Sequence, residues 1–179
     1  MQWQVHGRRG LYASEWVELW LDDVEIPGGN RFDHHVLRFP RSCVSCLVVQ
    51  DERALLLWRH RFITDTWGWE VPGGWVDPGE DPAEAARREV EEETGWRPRQ
   101  VERMTDYTAL NGIGDLRYGL FLAEGADRIG EPEDVSESSE LAWLPLADLP
   151  GLIRDGRLTD GPTLLAVGYY LGIHRTALP

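Results

Sequence analysis

The sequence predicts an α+β sandwich: helices flanking a mixed β-sheet, preceded by a small antiparallel β unit. Three observations carry this. Strand-like and helix-like stretches mix along the chain without regular βαβ alternation. One central helix is signalled at both ends. Residues 1–40 are rich in aromatic and β-prone residues broken by polar turns, a unit too small to stand alone.

Taken in order, Trp16–Leu21 reads as a strand. Asp22-Asp23 and Pro27-Gly28-Gly29-Asn30 read as turns, and Arg31–Phe39 as a second strand ended by Pro40. Trp3, Trp16 and Trp20 supply large surfaces that must pack on something. Residues 42–50 form a central strand, with Asp51-Glu52 as a hairpin turn into residues 54–61. Arg59 and Arg61 share a face of that strand by period-two alternation. They are either surface arginines or, standing just before a glycine-rich loop, contacts for a phosphate. Thr64–Trp69 reads as a loop, and Val71–Gly74 as a break where backbone approaches a ligand closely.

The helix over 82–94 has Asp81 as N-cap, Pro82 at N1, Glu84 at N3 of a capping box and Gly95 at C′. On it Glu89, Glu92 and Glu93 stand one turn apart on one side. Like charges at that spacing repel. Such a cluster is either a solvated acidic face or a site for a hard divalent cation that removes the repulsion. Beyond the helix, 100–109 and 117–123 read as strands around an Asn111–Asp115 turn. Residues 124–140 carry seven acidic side chains in seventeen and so read as a mobile loop. Leu141–Leu144 is a short strand, and Leu146–Arg154 and Pro162–Leu171 are helices, the last with a wide apolar face.

At 179 residues the chain fits one domain. Its net charge of −13 argues against nucleic acid or an anionic membrane as partner. No apolar run reaches membrane-spanning length, and the N-terminus lacks a signal-peptide core, so a cytoplasmic protein is expected. Cys43 and Cys46 lack a second ligand pair with zinc spacing. In a buried strand they point to opposite faces, as reduced core thiols.

Gly74, Glu80 and the run Arg88-Glu89-Val90-Glu91-Glu92-Glu93-Thr94-Gly95 before bulky Trp96 resemble the Nudix box, where an aliphatic residue usually takes the place of Trp96. The likeness extends over most of the chain. The N-terminal β unit, WRHRF, WGWEVPGG, the late acidic loop and the two last helices resemble the ADP-ribose pyrophosphatase branch of the Nudix hydrolases. That branch usually has a proline after the box where this chain reads Leu110-Asn111-Gly112.

The resemblance implies a Nudix-type α/β/α sandwich over 41–179, with residues 1–40 mediating a homodimer. It implies Mg²⁺, with Mn²⁺ as a substitute, held by Glu89, Glu92, Glu93 and the Gly73 carbonyl. A late-loop glutamate completes the site, placed at Glu137 with Glu133 and Glu140 as rivals. Catalytic roles fall to Glu92, Glu93, Glu137 and to Arg88, which orients the glutamates while Glu80 supports it. Arg59, Arg61, Glu70 and Gly74 take the substrate side. The implied reaction is hydrolysis of a nucleoside diphosphate-linked small molecule, ADP-ribose or a similar nucleotide sugar, into two phosphorylated products. The alternatives are nucleoside triphosphate cleanup, an isomerase, or a non-catalytic sensor.

Overall fold

The computed structural model describes residues 2–133 and 139–175, and the chain divides into two compact units. The first comprises Met1–Ser42 with Tyr107–Arg117. Within it β1 (Gln4–Ala13), β2 (Glu18–Glu25) and β3 (Arg31–Arg38) form an antiparallel meander. The turn at 27–30 falls where expected.

The expected turn at Asp22-Asp23 does not form, because β2 runs straight through it. Each aspartate is neutralised across the sheet, which removes the reason to turn outward. Asp22 is buried between Arg8 at 3.3 Å and Arg38 at 3.2 Å, and Asp23 pairs with Arg31. Residues 107–117 join this unit by backbone bonds. Leu37 N–H donates to the Ile113 carbonyl (2.8 Å), and the Asp115 carboxylate accepts from Phe39 N–H (2.9 Å).

The second unit holds a mixed sheet of seven strands. Its main path is β12 (Glu140–Pro145), β5 (Arg53–Arg61), β4 (Cys43–Gln50), β10 (Arg117–Glu124) and β9 (Val101–Thr108). β6 (Thr66–Glu70) adds to β5, and β7 (Gly73–Trp75) to β4. β4 pairs parallel with β10 and antiparallel with β5. It is buried along nearly its whole length, as a central strand covered on both faces must be. The two-residue turn at Asp51-Glu52 has φ of 50° and 57°, the left-handed pair that matches hairpin twist.

Thr66–Glu70 is a strand and not a loop. Aromatic pairing overrides the polar turn signals there. Trp58 stacks with Trp67 at 6.2 Å and meets Trp69 at 5.3 Å, while Arg157 lies over the Trp58 ring. Gly73–Trp75 is likewise a short strand, paired with Cys43–Ser45, so the glycine-rich segment is only partly irregular.

Helix α1 (Pro82–Thr94) buries Ala86 and Val90 against Val44, Cys46 and Val48 of β4. Trp96 packs edge-on to Trp143 at 5.3 Å beside that core, so the aromatic residue fits. Short strands β8 (Trp96–Pro98) and β11 (Ala126–Arg128) pair, so the acidic stretch begins as ordered structure. Helices α2 (Leu149–Arg154) and α3 (Gly161–Tyr169) follow, the latter running into a π-helical turn, Tyr170–His174. Among the described residues no helix is long and apolar enough to cross a membrane.

Both cysteines are free and buried, and burial pushes their thiols up to about 11 for Cys43 and about 12 for Cys46. Neither is expected to react with a thiol reagent in the folded protein at mildly alkaline pH, and both should react after denaturation. Rapid labelling of either in the native state would show the strand to be more open than this.

Candidate active site

The acidic side chains of interest stand on α1, whose ends are built locally. The Asp81 carboxylate accepts from Ala83 and Glu84 N–H at 2.9 and 3.3 Å, and Gly95 closes the helix at φ 69°. Glu84 turns to Arg87 at 3.5 Å instead of back to the cap.

Arg88 is the hub of this face. Its Nε and Nη2 donate to the two Glu80 oxygens at 2.9 and 3.0 Å. Its Nη1 donates to Glu89 at 2.8 Å and Glu92 at 3.0 Å, and Nη2 also reaches the Trp75 carbonyl at 3.0 Å. One guanidinium thereby answers three carboxylates and ties the helix to β7. The charge-assisted bonds from Arg88 hold the Glu80 carboxyl below the ordinary glutamate value.

The glycines before the helix allow close approach, most strictly at Gly73, where a Cβ would meet backbone. A Cβ on Gly74 would stand 2.5 Å from the Glu89 carboxylate, and one on Gly73 would strike the Val44 carbonyl and the Ser45 side chain. With no Cβ there, backbone lies directly against the glutamates. Gly73 N–H donates to Glu93 at 3.0 Å.

Glu93 is 5% exposed and takes a second bond from Arg59 Nη2 at 2.7 Å. Burial raises the Glu93 carboxyl to about 7, against the opposing pull of Arg59. Arg59 is itself 3% exposed. What the fold gives it is a carboxylate partner, not an open face towards a phosphate.

Among the described residues no three His, Cys, Asp or Glu side chains already meet at metal-binding distance. Arg88 spans Glu89 and Glu92, while Arg59 holds Glu93. The donor set still fits a hard divalent cation: Glu89, Glu92 and Glu93 offer carboxylate oxygens from one helix beside cleared backbone at Gly73 and Gly74.

Glu137 lies outside the described residues. Of its rivals, Glu140 opens β12 opposite Trp58. Glu133 is carried to the helix, where its N–H donates to the Glu92 carbonyl at 2.8 Å and it lines a cavity of about 490 Å³ with Glu80, Arg88 and Glu92.

Arg61 and Glu70 form a separate pair, Nε donating to both carboxylate oxygens at 3.0 and 3.1 Å. Sequence reasoning missed Thr163 and Asp160. Buried Thr163 Oγ accepts from Val71 N–H at 3.0 Å and donates to Asp160 at 2.7 Å, fastening the glycine-rich segment to α3. The only local signal was Asp160-Gly161-Pro162, a helix start.

Comparison with known proteins places this geometry. Residues 39–166 match the NUDIX domain. A CMP-5′-(N-acetyl-N-hydroxy-3-aminopropyl)phosphonate hydrolase of Streptomyces rubellomurinus is 42% identical over 97% of this chain and 84% of its own length. An ADP-ribose pyrophosphatase of Bacillus subtilis is 27% identical over 89% of this chain and 87% of its own. A solved structure of an ADP compounds hydrolase superposes with a TM-score of 0.83 at 19% identity, covering 93% of this chain and 91% of that one.

Removing Arg59 would leave the Glu93 carboxyl buried without its cation, so that it must either keep an unpaired charge or take up a proton. Arg59→Leu is expected to cost about 3–5 kcal/mol in chemical denaturation. Adding Glu93→Gln should recover part of that loss. Equal stability of Arg59→Leu and wild type would mean the pair is not buried in solution.

Proposed function

The chain belongs to the NUDIX domain family and is a Nudix hydrolase, and from that premise we propose that it cleaves the anhydride of a nucleoside diphosphate-linked small molecule, ADP-ribose or a similar nucleotide sugar, into two phosphorylated products. Nudix hydrolases generally use divalent metals. Here we assign Mg²⁺, with Mn²⁺ as a substitute.

The observation that supports this most is the set Glu89, Glu92 and Glu93 on one side of α1, tethered by Arg88 and Arg59 beside Gly73 and Gly74. Bound cations supply charge neutralisation at the diphosphate and a lowered pKa for the attacking water. The chain's own residues do the rest. Arg88 keeps Glu89 and Glu92 from splaying apart. Gly74 lets Glu89 lie flat against backbone. Arg59 and Gly73 N–H hold Glu93 still.

Proton removal from the attacking water falls to Glu92 or Glu93, or to a late-loop carboxylate. Glu133 and Glu131 are carboxylates of that loop that line the cavity with Glu92, and Glu133 is the one among the sequence candidates. Glu137 keeps its assignment from the sequence. A second substrate reading, a CMP group joined to a substituted phosphonate, is favoured by the 42% identity to the Streptomyces protein.

The N-terminal unit supports a homodimer. β1 is exposed along its whole length, and Trp3, Tyr12 and Trp16 stand about half exposed. Two buried, unpaired cysteines fit a cytoplasmic setting.

The direct test is release of AMP or CMP from ADP-ribose, ADP-glucose, CMP-linked phosphonate and ATP, with and without Mg²⁺. Cleavage that needs the metal is expected; metal-independent release or none from any of them would sink the reading. Glu93→Gln should lower kcat by about a hundredfold or more with folding intact. Light scattering at micromolar concentration should give a dimer mass, and a monomer would remove residues 1–40 from assembly.

A further inference from the structure

Arg59 and Arg61 leave β5 on the same side. The first holds Glu93, whereas the second lines a cleft of about 500 Å³ between the β5–β6 hairpin and the start of α3. The polar walls of that cleft are Arg61, Thr64, Thr66, Glu70, Thr159 and Asp160. We propose that this cleft receives the group on the far side of the anhydride, and that Asp160 selects a neutral, hydroxyl- or amide-bearing group over a phosphate.

The argument starts from charge. Arg61 is spent on Glu70, which is buried and takes both its oxygens into the pair. These two charges cancel. Asp160 shares the field of Arg61 without bonding it, and takes hydrogen bonds from Thr163 N–H at 3.0 Å and Thr163 Oγ at 2.7 Å on the same oxygen, Oδ2. The cleft therefore carries about one net negative charge in partly enclosed surroundings, where Coulomb repulsion is strongest. A phosphate entering it would be repelled. A hydroxyl or amide N–H would find a charged acceptor in Asp160, and Thr66 and Thr159 hydroxyls able to donate or accept.

The same aspartate is held rigidly. It caps α3, and through Thr163 it is fastened to Val71 N–H, which stands between Glu70 of the cleft and Gly73 beside Glu93. A group hydrogen-bonded to Asp160 is thus registered against the glutamates of α1 by a short, buried chain of bonds. A group misplaced here misplaces the anhydride, and small displacements cost rate steeply. Asp160 and Thr163 are positioning and specificity residues in this scheme.

The inference rests on the proposed anhydride chemistry, so the test separates the two. Binding of ADP-ribose and of ATP, which share an adenosine diphosphate but end in a neutral polyol or a phosphate, is measured by calorimetry on the full chain with Ca²⁺ in place of Mg²⁺. Wild type should bind ADP-ribose at least about tenfold more tightly than ATP. Asp160→Asn keeps a good helix cap and removes the charge. It should weaken ADP-ribose by about tenfold, the size of one charge-assisted bond, and tighten ATP. Thr66→Val should weaken ADP-ribose without tightening ATP, and unchanged melting temperatures confirm that both variants fold.

Equal affinity of wild type and Asp160→Asn for both ligands overturns the proposal. So does a wild type that prefers ATP or binds neither. Absence of metal-dependent AMP or CMP release from every anhydride overturns the hydrolase substrate reading instead, and leaves the measured selectivity of the cleft standing.

Discussion

Carboxylates set one turn apart on a single helix repel one another, and much of the second unit answers that repulsion. Glu89, Glu92 and Glu93 share a side of α1 at the cost of mutual repulsion, which nearby cations relieve. Arg88 supplies the first by bonding Glu89, Glu92 and Glu80 at once. Arg59 supplies the second from β5, reaching Glu93 inside the core. Glycine at 74 leaves the Glu89 carboxylate its space, and glycine at 73 lets the segment lie close against Val44 and Ser45 of β4. The chain's net charge of −13 would oppose an anionic substrate; Arg88 and Arg59 offset part of the carboxylate charge at α1, and the divalent cation proposed for this site would supply the rest.

The same demand explains why the site is suspended from several elements at once. β7 hangs on β4 through its three-residue ladder. The segment before it is tied by Trp69 N–H to the Arg157 carbonyl and by Val71 N–H to Thr163. The start of the acidic stretch is clipped to the end of α1, with Ile129 and Glu133 N–H bonded to the carbonyls of Gly95 and Glu92. A site on rigid, cross-tied supports holds geometry that loops alone would lose.

Where sequence reading went astray, a non-local contact outweighed a local signal. Asp22-Asp23 has turn composition, yet Arg8 and Arg38 neutralise Asp22 from neighbouring strands. Thr64–Trp69 has turn residues, yet Trp67 and Trp69 gain more by packing on Trp58. Glu84 sits at the right place for a capping box and pairs with Arg87 instead. Each outcome depends on residues that the local window does not contain.

The sequence by itself determined what local spacing controls. The α1 caps at Asp81 and Gly95, the hairpin turn at Asp51-Glu52, the buried β4 strand and the one-sided set of glutamates all follow from short-range geometry: a 3.6-residue repeat, a two-residue alternation, a positive φ. Those features carried the fold class, while the family came from the resemblance of Gly74, Glu80 and the run Arg88–Gly95 to the Nudix box. Tertiary structure alone decided the partners: Arg59 meets Glu93 across 34 residues, Val71 meets Thr163 across 92, and Asp160 comes to face Arg61 and Glu70 in one cleft. These pairings are legible only after folding, because nothing in the spacing of two distant residues says that packing will bury them side by side.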